Sequence, residues 1–84
     1  MAQIKVYYRA ALAEKTGKAE EIMEAAAVRD VLAFIKKTYG AEAHQAAKRM
    51  LIAVNNDSIQ LHEGFGTQLG EGMEVRFMPI CGGG

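Results

Sequence analysis

Val28-Arg29-Asp30-Val31-Leu32-Ala33-Phe34-Ile35-Lys36-Lys37-Thr38-Tyr39-Gly40 decides the architecture. Val28, Val31, Leu32, Ile35 and Tyr39 recur at i, i+3, i+4, i+7 and i+11, which places them on one stripe of an α-helix. Arg29, Asp30, Lys36 and Lys37 fall on the other side, and Gly40 is the expected C-terminal stop. The start is poorly marked: Ala26 and Ala27 stand where a Ser, Thr or Asp side chain would cap the first turn.

Outward from this helix the pattern changes to a period of two. On the N-terminal side, residues 3–9 place Ile4, Val6 and Tyr8 on one face and Lys5, Tyr7 and Arg9 on the other, a half-buried strand. Residues 10–18 are alanine-rich and close in Thr16-Gly17-Lys18, a turn after at most one helical turn. Residues 20–25 predict a second strand with Ile22 inward and Met23 less clearly placed. On the C-terminal side, residues 41–48 leave a choice between a short second helix and an irregular crossover. Leu51 to Val54 is a compact β-prone run. Asn55-Asn56-Asp57 follows, and Asn and Asp tolerate the positive φ of a tight hairpin turn. Ser58 to Leu61 is the expected return strand. Leu69-Gly70-Glu71-Gly72 is a further turn, and residues 74–78 form a last strand with Val75 and Phe77 on one face.

The order strand, strand, helix, strand, strand, strand predicts an α+β domain. One main helix covers one face of a mixed sheet of four to five strands, with the first and last strands parallel at its centre. Residues 1–78 form the domain and residues 79–84 a separate glycine tail. At 84 residues the chain builds one modest core and leaves little room for a deep, enclosed active site. Chemistry is expected at the surface or inside a partner.

Ten basic residues balance ten acidic ones, so no basic stripe is available to hold phosphates, and nucleic acid is excluded as a partner. The Lys36-Lys37 doublet belongs to a solvated helix face. The single cysteine, Cys81, has no internal disulfide partner, which fits a reducing cytoplasm. Lys5, Arg9, Glu14, Lys15 and Lys18 interrupt the first 25 residues, so no signal peptide is expected there. No segment reaches the ~20 apolar residues that span a bilayer.

Pro79-Ile80-Cys81-Gly82-Gly83-Gly84 is the unusual feature. Pro79 cannot donate a ladder hydrogen bond and ends the strand. Three glycines contribute nothing to a core and lose the most entropy if ordered. They do make a segment thin and flexible enough to enter a narrow cleft. From Cys81 to Gly84 it reaches roughly 10–14 Å and delivers one group, the α-carboxylate of Gly84. Since a carboxylate is a poor electrophile, a partner must activate it, for example as a mixed anhydride with AMP.

The tail, with four upstream segments, resembles the MoaD/ThiS family of ubiquitin-like sulfur carriers, closest to the MoaD-like branch, the small subunit of molybdopterin synthase. Ile4-Lys5-Val6 followed by aromatics resembles the family's opening strand, and Val28-Arg29-Asp30-Val31-Leu32 its helix start. Ile52-Ala53-Val54-Asn55 resembles its third strand and turn, and Glu71-Gly72-Met73-Glu74-Val75 leading to Pro79 and Gly83-Gly84 its closing strand and tail. The resemblance implies a β-grasp (ubiquitin-like) fold and a protein cosubstrate, not an enzyme. It implies that Gly84 is adenylated by an E1-like enzyme using ATP, with no permanently bound cofactor and no metal. A sulfur donor then converts it to a thiocarboxylate, which a larger synthase subunit or another acceptor enzyme receives. Phe77, Pro79, Ile80, Cys81, Gly82 and Gly83 would then be the partner-binding tail and its base. Family tails commonly read Pro-Pro-Val, a small residue and Gly-Gly; here Ile80 replaces the second proline, Cys81 the valine and Gly82 the small residue. Sulfur donation for cysteine or thiamin, conjugation to proteins, and a plain interaction module remain alternatives.

Other side chains read as ordinary structure. Cys81 lacks a neighbouring histidine that would make it a nucleophile. His44 and His62 lack metal-ligand spacing. Gly64-Phe65-Gly66 and Gly70 sit outside any strand-to-helix unit of the kind that binds dinucleotides. Met50, Met73 and Met78 suit core or edge packing.

Overall fold

The computed structural model describes residues 2–80. Along the chain run β1 (Ala2–Tyr7), α1 (Ala10–Thr16), β2 (Glu20–Ala25), α2 (Val28–Tyr39), α3 (Ala41–Lys48), β3 (Leu51–Val54) and β4 (Asp57–Ser58). Two short 3-10 turns, Ile59–Leu61 and Gly64–Gly66, lead to β5 (Glu74–Met78).

The strands form one mixed sheet in the order β2-β1-β5-β3-β4. β1 and β5 pair in parallel at its centre, Val6 beside Val75. The other pairings are antiparallel, with Ile52 opposite Phe77 and Val54 opposite Val75. Alternation sends Ile4, Val6, Met23, Ile52, Val54, Val75 and Phe77 to the inner face. There they bury against Val28, Val31, Leu32 and Ile35 of α2. This is the expected β-grasp arrangement, a sheet folded over one principal helix. Leu12 of α1 and Ala43 and Ala47 of α3 join the same core, so two lesser helices flank the main one.

Local chemistry explains the element ends. α2 starts without a capping hydroxyl because Asp30, three residues in, serves instead. Its carboxylate accepts hydrogen bonds from the backbone N–H groups of Ala26 and Ala27, both at 3.0 Å, half of a capping box at the positive end of the helix. The N–H of Gly40 closes the helix on the Lys36 carbonyl at 3.0 Å. Asn55 and Asn56 take φ of 49° and 79°, the left-handed pair of a two-residue hairpin turn. The Asn55 side chain also accepts from the Glu74 N–H at 2.9 Å, tying that turn to β5.

Three expectations are corrected. Residues 10–16 make two helical turns rather than at most one, because Leu12 is fully buried and the alanines carry little cost in a helix. In β2 the faces are reversed. Met23 lies opposite Ile4 and is 6% exposed, whereas Ile22 lies opposite Lys5 and is 62% exposed. The return strand after the hairpin stops at Ser58, whose side chain accepts from the Gln60 N–H at 3.2 Å. That local bond competes with the ladder and turns the chain so that Ile59 buries. Residues 41–48 resolve as the helix α3.

Candidate functional site

β5 carries the candidate site out of the core. Phe77 is fully buried, and three residues later Ile80 is 65% exposed. Phe77 therefore holds the base of the tail from within and presents no surface to a partner. Pro79 and Ile80 begin the exposed segment. Cys81, Gly82, Gly83 and Gly84 lie outside the described residues.

The seat of Phe77 is braced by groups that sequence reasoning missed. Its ring packs against Tyr8 with centroids 6.1 Å apart, and Tyr8 meets Tyr39 edge-on at 6.4 Å. Both phenols donate to the same carboxylate oxygen of Glu21, Tyr39 at 2.8 Å. Lys18 Nζ lies 3.5 Å from the other oxygen. Burial, and then the bond to Glu21, pushes the Tyr8 phenol well above the usual tyrosine range, and the same causes push Tyr39 up to about 12. Both are therefore protonated donors at neutral pH. Glu21 thus joins the ends of β1, β2 and α2 behind the strand that launches the tail. Its signal was the inward position it shares with Met23 and Ala25 once β2 has its true register.

On the open face of the sheet the same strand carries a polar ladder. The Arg76 guanidinium stacks over the Tyr7 ring at 4.4 Å and pairs with Glu74 at 3.0 Å. Tyr7 donates to Glu74 at 3.2 Å, and Lys5 sits 5.3 Å from the Tyr7 centroid. Lys5 is also 3.2 Å from Glu20, and that hydrogen bond and charge raise its pKa. Beside the tail base this face holds a hollow of about 300 Å³ that includes Tyr7, Arg9, Arg76 and Met78.

Among the described residues no cluster of His, Cys, Asp and Glu has the geometry of a metal site. His62 faces Asp57 at 3.5 Å. The pKa of His44 is lowered by partial burial and by Lys48 and Lys36. No helix among these residues is long and apolar enough to cross a membrane. Met50 and Met73 are half-buried at the margin of the core, and Met78 is half-buried beside Tyr7 and Arg76 on the open face. The described residues form a packed platform from which β5 leads out to the exposed Pro79 and Ile80.

Comparison with known proteins agrees. The ThiS family model matches residues 6–84, a span that includes the tail. No curated protein matches the sequence. Among solved structures, small archaeal modifier protein 1 from Methanosarcina acetivorans is similar at 26% identity and a TM-score of 0.82, covering 100% of this chain and 98% of that one. A putative molybdopterin converting factor subunit 1 from Pyrococcus furiosus is 26% identical with a TM-score of 0.70, covering 94% and 98%. A chain of the Amycolatopsis orientalis BexX/CysO complex shares the fold at 16% identity and a TM-score of 0.79, covering 96% and 99%. Matched by that family model over residues 6–84, the chain belongs to the ThiS family of ubiquitin-like sulfur carriers.

Proposed function

We propose that the α-carboxylate of Gly84 is the working group, adenylated by an E1-like enzyme and then converted to a thiocarboxylate. The observation that carries this reading is the family match running through Gly84, on a chain whose last buried residue before the tail is Phe77. The chemistry is balanced without any catalytic group on this protein. A carboxylate oxygen attacks the α-phosphorus of ATP and pyrophosphate leaves. Hydrosulfide supplied by the donor then attacks the acyl carbon, AMP leaves, and loss of the S–H proton gives the thiocarboxylate with no change of oxidation state. Gly82 and Gly83, lacking side chains, let the enclosing backbone of an enzyme approach closely. Pro79 and Ile80 stand at the mouth of that cleft. The protein acts as a cosubstrate.

The acceptor we favour is a pterin precursor of molybdenum or tungsten cofactor, held by a larger synthase subunit. Likeness to the Pyrococcus furiosus converting factor supports this route. Likeness to the archaeal modifier protein supports a second reading, in which the activated Gly84 forms an amide with lysines.

The test is ATP–pyrophosphate exchange by the adenylating enzyme with the full chain and with a variant lacking Gly83-Gly84. Exchange with the full chain and none with the truncation, at equal thermal stability, is the expected result. Equal exchange with both would overturn the assignment of Gly84.

A further inference from the structure

On the helical side of the tail base, α1 and α3 leave a trough between them. Its upper part, about 330 Å³, is lined by Ala10, Lys15, Ala46, Arg49, Met50 and Ile80 among others. A lower part of about 280 Å³ continues along α3 past Glu42 and Gln45 and shares Lys15, Ala46 and Arg49 with the upper one. Small alanine side chains leave the floor open and apolar, and two cations stand over it. Lys15 is already matched by Glu42 at 3.5 Å. Among the described residues, Arg49 has no carboxylate partner.

What covers this trough follows from the tail's position. Pro79 and Ile80 form one of its walls, and Gly84 lies at most roughly 14 Å farther along the chain. A protein that closes on Gly84 therefore comes within reach of the trough. Six tail residues, three of them glycine, supply only part of the roughly 800 Å² per partner that a stable interface buries. The added contact must be made next to the tail, and its chemistry is set by what lines the trough. An apolar floor takes an aliphatic side chain, and an unmatched guanidinium takes a carboxylate in its two-pronged geometry.

We propose that the α1–α3 trough is a docking surface for the adenylating enzyme, filled by a segment that presents an aliphatic side chain and a carboxylate to Arg49. The inference rests on the carrier reading of Gly84 and adds to it a contact that acts on affinity and leaves the acyl chemistry alone. Charge pairs at an interface steer encounter and fix register, so the trough would set how tightly the carrier is recognised.

The test measures the dissociation constant of the ATP-free adenylating enzyme for the wild-type chain, Arg49→Glu, and the control Lys37→Glu on the exposed side of α2. Exchange kinetics with the same enzyme and the sedimentation of each variant complete the set. Expected is a weakening of at least about tenfold for Arg49→Glu, against less than about twofold for Lys37→Glu. The exchange rate at saturating carrier should be unchanged, so that KM moves and kcat does not. Ala46→Glu, which places a carboxylate in the floor and offers Arg49, three residues on, a competing partner, should weaken binding similarly and guards against a folding defect in one variant. Wild-type affinity in both trough variants, with Gly84 still adenylated, would overturn the trough and leave the carrier reading standing. A changed oligomeric state with unchanged enzyme affinity would assign the trough to a second copy and also overturn the proposal. Absence of exchange with the wild-type chain would remove the carrier reading and this inference together.

Discussion

Met23 and Ile22 are neighbours on β2 with opposite fates, and truncating each to alanine tests the register of that strand. Met23 is 6% exposed and faces Ile4 across the ladder, inside the core. Met23→Ala deletes the thioether and leaves a cavity, a change that costs about 2–4 kcal/mol. Ile22 is 62% exposed beside Lys5. Ile22→Ala removes few buried contacts and should cost less than about 1 kcal/mol, chiefly through β propensity. In a domain of this size each kcal/mol moves the melting temperature by about 4–8 °C. Met23→Ala should therefore melt at least about 8 °C below wild type, and Ile22→Ala within a few degrees of it. Urea unfolding should shift its midpoint with an unchanged slope. Equal losses, or a larger loss for Ile22→Ala, would mean that β2 is slipped by one residue. Such a slip would carry Glu21 to the open face, away from Tyr8 and Tyr39, and dismantle the brace behind Phe77.

Two further outcomes follow from the same geometry. Asp30→Ala removes the carboxylate that holds the Ala26 and Ala27 N–H groups. It should cost about 0.5–2 kcal/mol in urea unfolding, and no loss would show that the alanine start of α2 needs no cap. The Tyr39 phenol, held up to about 12 by burial and Glu21, sits near 10 in the unfolded chain. The folded state thus keeps this proton more firmly. Its contribution to stability is complete below about pH 10 and is lost as the pH climbs through about 12. Phenolate absorbance should show a late component that shrinks in Tyr39→Phe, with the Tyr8 phenol still ionising late; ionisation of all tyrosines near pH 10 would refute the buried network.

The sequence carried the architecture where periodicity was strong. The five-residue stripe of α2, the alternation in β1 and β5, and the Asn55-Asn56 turn each encode one geometry. Together they imply the parallel centre of the sheet. It misled where two short-range signals competed. In β2, Ile22 and Met23 are both apolar, and only pairing with Ile4 and Lys5 decides which enters the core. Along α1, burial of Leu12 outweighs the absence of a side-chain cap at Arg9. At Ser58, one side-chain hydrogen bond shortens a strand that composition alone would extend. The tail stands out in the sequence for a different reason: glycine and proline have too little structural use there to be explained by packing. The brace of Glu21, Tyr8 and Tyr39 was not legible, because it joins residues whose proximity exists only after the sheet has closed on α2.

The proposed role of Gly84 as the sulfur-bearing residue is tested most directly by fragment mass spectrometry of the C-terminal peptide after reaction with ATP, the adenylating enzyme and a sulfur donor. Intact mass is insufficient, since exchanging oxygen for sulfur resembles one methionine oxidation and the chain holds five methionines. Sulfur localised to Gly84 and absent when ATP is withheld is the expected result. An unmodified Gly84 beside an enzyme shown to be active, or sulfur found on Cys81 instead, would contradict it.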